Sequence, residues 1–108
     1  MNLKGYVSVR LPVPVSVQNL VLRDYCQRNG HTYFLADVEY IMPGCSIMLQ
    51  GLAAQPFLTG IVAYSMFMAP KELWLSFAGR DVHFALENYV WPRDEEACKV
   101  AWALKEAA

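Results

Sequence analysis

The sequence holds no apolar run long enough to cross a bilayer. Its longest, from Leu58 to Pro70, falls short of the ~20 residues that a spanning helix needs. It also lacks a basic stripe, because nine Lys and Arg are spread singly against ten Asp and Glu, for a net charge of −1. Without clustered cations there is little to neutralise a phosphate backbone, which argues against nucleic acid as a partner. Cysteine is scarce, with three residues at irregular spacing. An odd, irregular set reads as reduced thiols and not as a disulfide framework. The two histidines, His31 and His83, are too scattered among the cysteines to give a metal-ligand spacing, so no metal is expected. Glycine is missing where a nucleotide would need it: "RLPVPVS" carries neither a dinucleotide nor a P-loop fingerprint. NAD, FAD and ATP are therefore disfavoured, and no cofactor is expected. Lys4 followed by Gly-Tyr-Val reads as the start of a strand and not as a cleavable leader, which with the free thiols points to the cytoplasm.

What the chain does hold is apolar surface. Hydrophobic residues make up 56% of 108 residues, a high share for a length that suits one domain, residues 1–108. The surplus is explained by strands buried on both faces or by a subunit interface. The three tryptophans and the Met66–Phe67–Met68 run need the same kind of shelter. A homo-oligomer is expected on that ground.

Punctuation along the chain divides it into strand–helix units. "GYVSVR" (Gly5 to Arg10) alternates and is rich in β-formers, and Pro12 and Pro14 end it. Ser16 is placed to cap a helix that runs to about Asn29, with Gly30 as its stop and Val17, Leu20, Val21, Leu22 and Tyr25 as its apolar face. "HTYFLA" (His31 to Ala36) is a second strand, followed by a loop and a helix from about Cys45 to Ala54. Leu58 to Met66 is a third strand and the candidate for the sheet centre. Pro70 opens a short helix stopped by Gly79, and Val82 to Leu86 is a fourth strand. "RDEEACKVAWALKEA" after Pro92 is a final helix, with acids in its first turn and Lys105 in its last. Short connections between alternating strands and helices imply parallel pairing through right-handed crossovers. The expectation is an α/β fold of three layers around a four-stranded, mostly parallel sheet in the flavodoxin-like or resolvase-like order 2-1-3-4.

Ligands of such sheets bind outside the carboxyl ends of the strands, where the chain order reverses. Arg10 closes the first strand, Gln18 and Asn19 open the next helix, and Asp37 and Glu39 follow the second strand. Ser65 ends the third strand, and Glu87 and Asn88 end the fourth. Arg10 could hold a phosphate or a sugar carboxylate, with Gln18, Asn19, Glu39, Ser65 and Asn88 as ligand contacts. Glu87 would be the general base if there is chemistry. The same residues also suit ordinary ion pairs and loop ends. Gln18 tilts the reading towards function, because it falls within an apolar helix face where an unpaired amide is costly. Cys45 follows Pro43-Gly44 at a helix start that can activate a thiol, but no base is near, so packing is the favoured role. Cys26 and Cys98 read as core.

Two resemblances follow from these segments. "YVSVR", Gln18, "LRDYCQRNG" and "GIVAYSMF" resemble the catalytic domain of serine recombinases. Arg10 occupies the nucleophile's position, Ser8 comes two residues early, and the arginines needed after the third strand are missing, so that likeness implies a fold without the activity. "VQNLVLRDYC", "EYIMPGC", "GIVAYSMF" and "VHFALEN" are similar, in order, to the sporadic carbohydrate cluster family of small bacterial proteins encoded among genes for surface-polysaccharide synthesis. The chain departs from that family in a short helix between its third and fourth strands and in "VRLPVP", where the family carries a Ser-Arg-Pro-like run. This resemblance implies a place in polysaccharide synthesis and supplies no catalytic residue; with the polar strand ends, the expectation is an accessory of that synthesis, either a small enzyme or a binder of a sugar or sugar phosphate. The alternative is a non-catalytic assembly subunit, whose mark would be a flat or filled strand-end crevice.

Overall fold

A computed structural model describes residues 1–40, 47–55, 60–77 and 79–107. Five strands and four helices are found among them: β1 (Asn2–Ser8), α1 (Val15–Arg28), β2 (Thr32–Glu39), α2 (Ile47–Ala53), β3 (Gly60–Ala63), α3 (Lys71–Leu75), β4 (Asp81–Phe84), β5 (Tyr89–Trp91) and α4 (Glu95–Ala107). A single 3-10 turn, Met66–Met68, precedes α3. The strands form one sheet in the order β2-β1-β3-β4-β5. The pairs β1–β2, β1–β3 and β3–β4 are parallel, and β5 joins antiparallel to β4. The fold is thus mixed α/β with a mostly parallel sheet, and it departs from the expected four-stranded arrangement by this added edge strand. Among the described residues no helix is long and apolar enough to cross a membrane.

Local chemistry explains where the elements begin and end. Helix α1 starts one residue before Ser16, which therefore does not cap it; the carbonyl of Pro14 accepts from the amides of Val17 and Gln18, both at 3.0 Å. Proline can hold that position because its fixed φ and missing N–H cost nothing at a helix start. The far end closes on Asn29, whose side chain donates to the Tyr25 carbonyl at 2.8 Å, and on Gly30 at φ 73°. Strand β2 runs on to Glu39, so Asp37 and Glu39 lie inside it and not in a loop after it. Asp37 is opposite Tyr6, and its carboxylate meets Lys4 Nζ at 3.3 Å. The expected helix start at Cys45 and the strand residues Leu58 and Thr59 lie outside the described residues. Helix α4 is capped by Asp94, whose carboxylate accepts from the Ala97 amide at 2.9 Å.

Register assigns the two faces of the sheet. Gly5, Val62, His83 and Val90 form one row across four strands, and Tyr6, Ala63, Phe84 and Tyr89 form the next, on the opposite face. Tyr25 of α1 reaches His83, which places α1 on the first face. Trp74 of α3 packs edge-on against Tyr6 and Phe84, and Trp102 of α4 against Trp91, which places those helices on the second. Helix α2 joins them there, as right-handed crossovers require of consecutive connections running in opposite directions across a sheet. The buried face of α1 agrees with the expected one at Leu22 and Tyr25 and departs from it at Val17 and Leu20. Val17 and Leu20 are exposed, while Gln18, Leu22, Tyr25 and Cys26 point inward.

Gly5 is where β1 and β2 come closest. A Cβ there would lie 2.7 Å from Tyr33 Oη and 2.9 Å from Ala36 Cβ, at the point where the β1–β2 register shifts. Tyr33 cannot swing aside freely, since its hydroxyl donates to Asn19 of α1. Gly5→Ala should therefore destabilise the protein by about 1–3 kcal/mol, the usual cost of overpacking, as read by urea denaturation. An unchanged midpoint would show that β2 yields at this contact.

Candidate functional site

The carboxyl edge of the sheet is polar, and most of its groups among the described residues are already engaged. Gln18 is fully buried at the end of β1. Its Oε1 accepts from the Ser8 amide at 3.0 Å, and its Nε2 donates to the carbonyls of Ser8 and Val13, both at 2.8 Å. One carboxamide thus substitutes for the missing strand partner of Ser8 and ties down the loop leading to α1. Its donors and acceptor are spent on main chain, so among the described residues its partners are structural. Arg10, half-buried beyond β1, donates from Nε and from its own amide to Ser8 Oγ, both at 3.2 Å.

Glu39 is fully buried one strand away. Tyr6 Oη donates to its Oε1 at 2.8 Å, and the amides of Met48 and Leu49 donate to its carboxylate at 3.2 and 3.4 Å. The carboxylate therefore caps the first turn of α2 from β2, where the helix dipole favours negative charge. A third group is formed by Glu87, in the β4–β5 turn. Its Oε1 accepts from the Met66 amide and its Oε2 from Ser65 Oγ, both at 2.8 Å. Ser65 Oγ accepts in turn from the Phe67 amide at 3.2 Å, so the pair closes the 3-10 turn. A serine facing a carboxylate suggests a nucleophile and its base, but no imidazole joins the pair, and both Glu87 oxygens are already held. Asn88 provides the left-handed residue of the hairpin, at φ 51°, which its short amide side chain tolerates. Asn19 lies on α1 facing Tyr33, whose phenol is pushed up to about 12 chiefly by burial. The expected site residues are thus divided among separate hydrogen-bonded groups, each of which secures an element boundary.

No family model, no curated protein and no solved structure matches the chain.

A different cluster was invisible to spacing along the sequence. Tyr25 Oη and His83 Nδ1, 58 positions apart, are hydrogen-bonded at 2.6 Å, and the rings of His31 and His83 lie with centroids 4.9 Å apart. Burial, and then the neighbouring His31, push the His83 pKa below its ordinary value. Among the described residues no group of three or more His, Cys, Asp or Glu could hold a metal ion. The cysteines described are packing residues: Cys26 and Cys98 are buried free thiols, and burial raises both pKa values.

Two outcomes follow. Gln18→Leu keeps the volume but strands one amide and two carbonyls, so it should cost roughly 2–4 kcal/mol in urea denaturation. Glu87→Gln keeps an acceptor for the Met66 amide and should cost under ~1 kcal/mol. The reverse ranking would show that Glu87, and not Gln18, holds this edge together. In the native protein Cys26 and Cys98 should resist alkylation at pH 8 and react once denaturant is added, as mapped by peptide mass spectrometry; rapid native labelling of either would contradict their burial.

Proposed function

We propose that the protein is a non-catalytic subunit that works by pairing with a second copy of itself, in the polysaccharide-synthesis setting implied by its resemblance to the carbohydrate cluster family. What supports this reading is that Gln18, Glu39, Ser65 and Glu87, among the described residues of the carboxyl edge, are already engaged in hydrogen bonds. A ligand there would have to displace hydrogen bonds that hold Ser8, α2 and the 3-10 turn in place, and each displaced buried group would then go unpaired.

The pairing surface is argued from α4. Cys98, Ala101 and Trp102 turn to the core, yet Val100 and Leu104 on the outer side are 61% and 68% exposed. With Ala97, Tyr89, Pro92 and Lys105 they line an apolar groove of about 650 Å³. Lys105 Nζ is 4.7 Å from the Tyr89 ring centroid, so the groove's cation is already paired with an aromatic face. The stripe is self-complementary. Two α4 helices packed antiparallel about a two-fold axis set Leu104 of each copy against Ala97 of the other, a large side chain facing a small one. The helix dipoles also oppose in that arrangement.

Sedimentation equilibrium at micromolar concentrations should give a dimer. Leu104→Glu, an exposed change that leaves the core intact, should give a monomer with unchanged circular dichroism. A monomeric wild type at high micromolar concentration would overturn the proposal, as would a Leu104→Glu dimer. Thermal stabilisation by nucleotide sugars or sugar phosphates would reinstate the ligand-binding reading.

A further inference from the structure

The polar cluster beneath α1 contains two buried nitrogens that have no hydrogen-bond partner among the described residues. His83 is 5% exposed, and its Nδ1 is held by Tyr25 Oη at 2.6 Å, yet its Nε2 is buried without a hydrogen-bond partner. His31 Nδ1 is buried and unpartnered in the same way. Orphaned polar atoms are rare in native interiors, and leaving two in neighbouring imidazole rings is costly unless a ligand pairs them. The rings cross at 67° with centroids 4.9 Å apart, close enough for one nitrogen of each to reach the ~2.1 Å coordination distance of a shared ion.

We propose that His31 Nδ1 and His83 Nε2 bind a late first-row divalent transition-metal ion, of which zinc is the test case. Three features support the assignment. Imidazole is a ligand for zinc, copper and nickel and not for magnesium or calcium. A ligating histidine usually has its other ring nitrogen fixed by a hydrogen-bonding partner, and Tyr25 provides that hold on His83 Nδ1. The His31 backbone is held because its amide donates to the Cys26 carbonyl at 2.8 Å, at the turn that ends α1, and its ring stacks on Tyr25 with centroids 6.3 Å apart. His31 as a residue is only half-buried, so it is the ring of the pair nearer solvent. With two protein ligands, water completes the coordination, so binding is reversible and weaker than at a four-ligand structural site.

The test uses tag-free protein stripped with chelator and then titrated with zinc chloride, with magnesium chloride as control. Zinc should raise the melting temperature of the wild type, and magnesium should not. The imidazole resonances of His31 and His83 should shift together in the NMR spectrum. His31→Ala, on the more exposed ring, should fold and lose the zinc response. Tyr25→Phe should keep both ligands but weaken zinc binding about tenfold, the usual loss when an outer partner is removed. No zinc-induced stabilisation, zinc binding unchanged in His31→Ala, or histidine resonances that do not move would each overturn the proposal and leave a bridging water as the occupant.

Discussion

The hydrogen bonds of Gln18 are the constraint on which the carboxyl edge of the sheet depends. β1 lies inside the sheet, flanked by β2 and β3, so its end must be buried, and its last residue, Ser8, must have both main-chain groups paired. The prolines of the turn that follows bring no N–H for the Ser8 carbonyl. A side chain from the next helix supplies partners for both groups. Once Gln18 is fixed there, the face of α1 is set: Leu22, Tyr25 and Cys26 turn to the sheet with it, and Val17 and Leu20 turn outward. Tyr25 is thereby brought to His83, and Asn19 to Tyr33.

That dependence also explains what could be read from the sequence. The alternation of strands and helices was legible because prolines and glycines punctuate it: Pro12 and Pro14, Gly30 and Gly79 each stand at a boundary. The class of fold follows from that alternation. The face of α1 was legible in part: Leu22, Tyr25 and Cys26 were expected inward, but an apolar pattern also set Val17 and Leu20 there, and the tertiary need of Ser8 turns them out. Strand β5 escaped because Tyr89–Trp91 is three residues long, too short for alternation to register. Its turn was visible in Asn88, although that residue looked like part of a site.

The candidate site shows a similar division. Residue types at the strand ends were identified well enough, but a sequence does not reveal whether a polar group faces a ligand or a neighbour. Glu39 looked like a loop carboxylate and is the buried cap of α2; Glu87 looked like a base and secures a turn. Tyr6 gave no warning of its role, because tyrosine in a strand reads as packing. His31 and His83 were set aside for being far apart in the chain; α1 lies over the sheet, and the turn that ends it brings His31 to the strand that carries His83.

The central place of β1 carries a consequence for how the chain folds. Its first partner, β2, follows after one helix, so β1, α1 and β2 can close as a local unit around the Gln18 tether. Its second partner, β3, begins at Gly60, which means that one long edge of β1 stays open until a distant segment arrives. An open edge of apolar strand is a template for any extended chain nearby. In this interval Leu3, Tyr6 and Val7 face solvent or a neighbouring molecule, and the yield of refolded protein should depend on dilution more than on the stability of the finished fold.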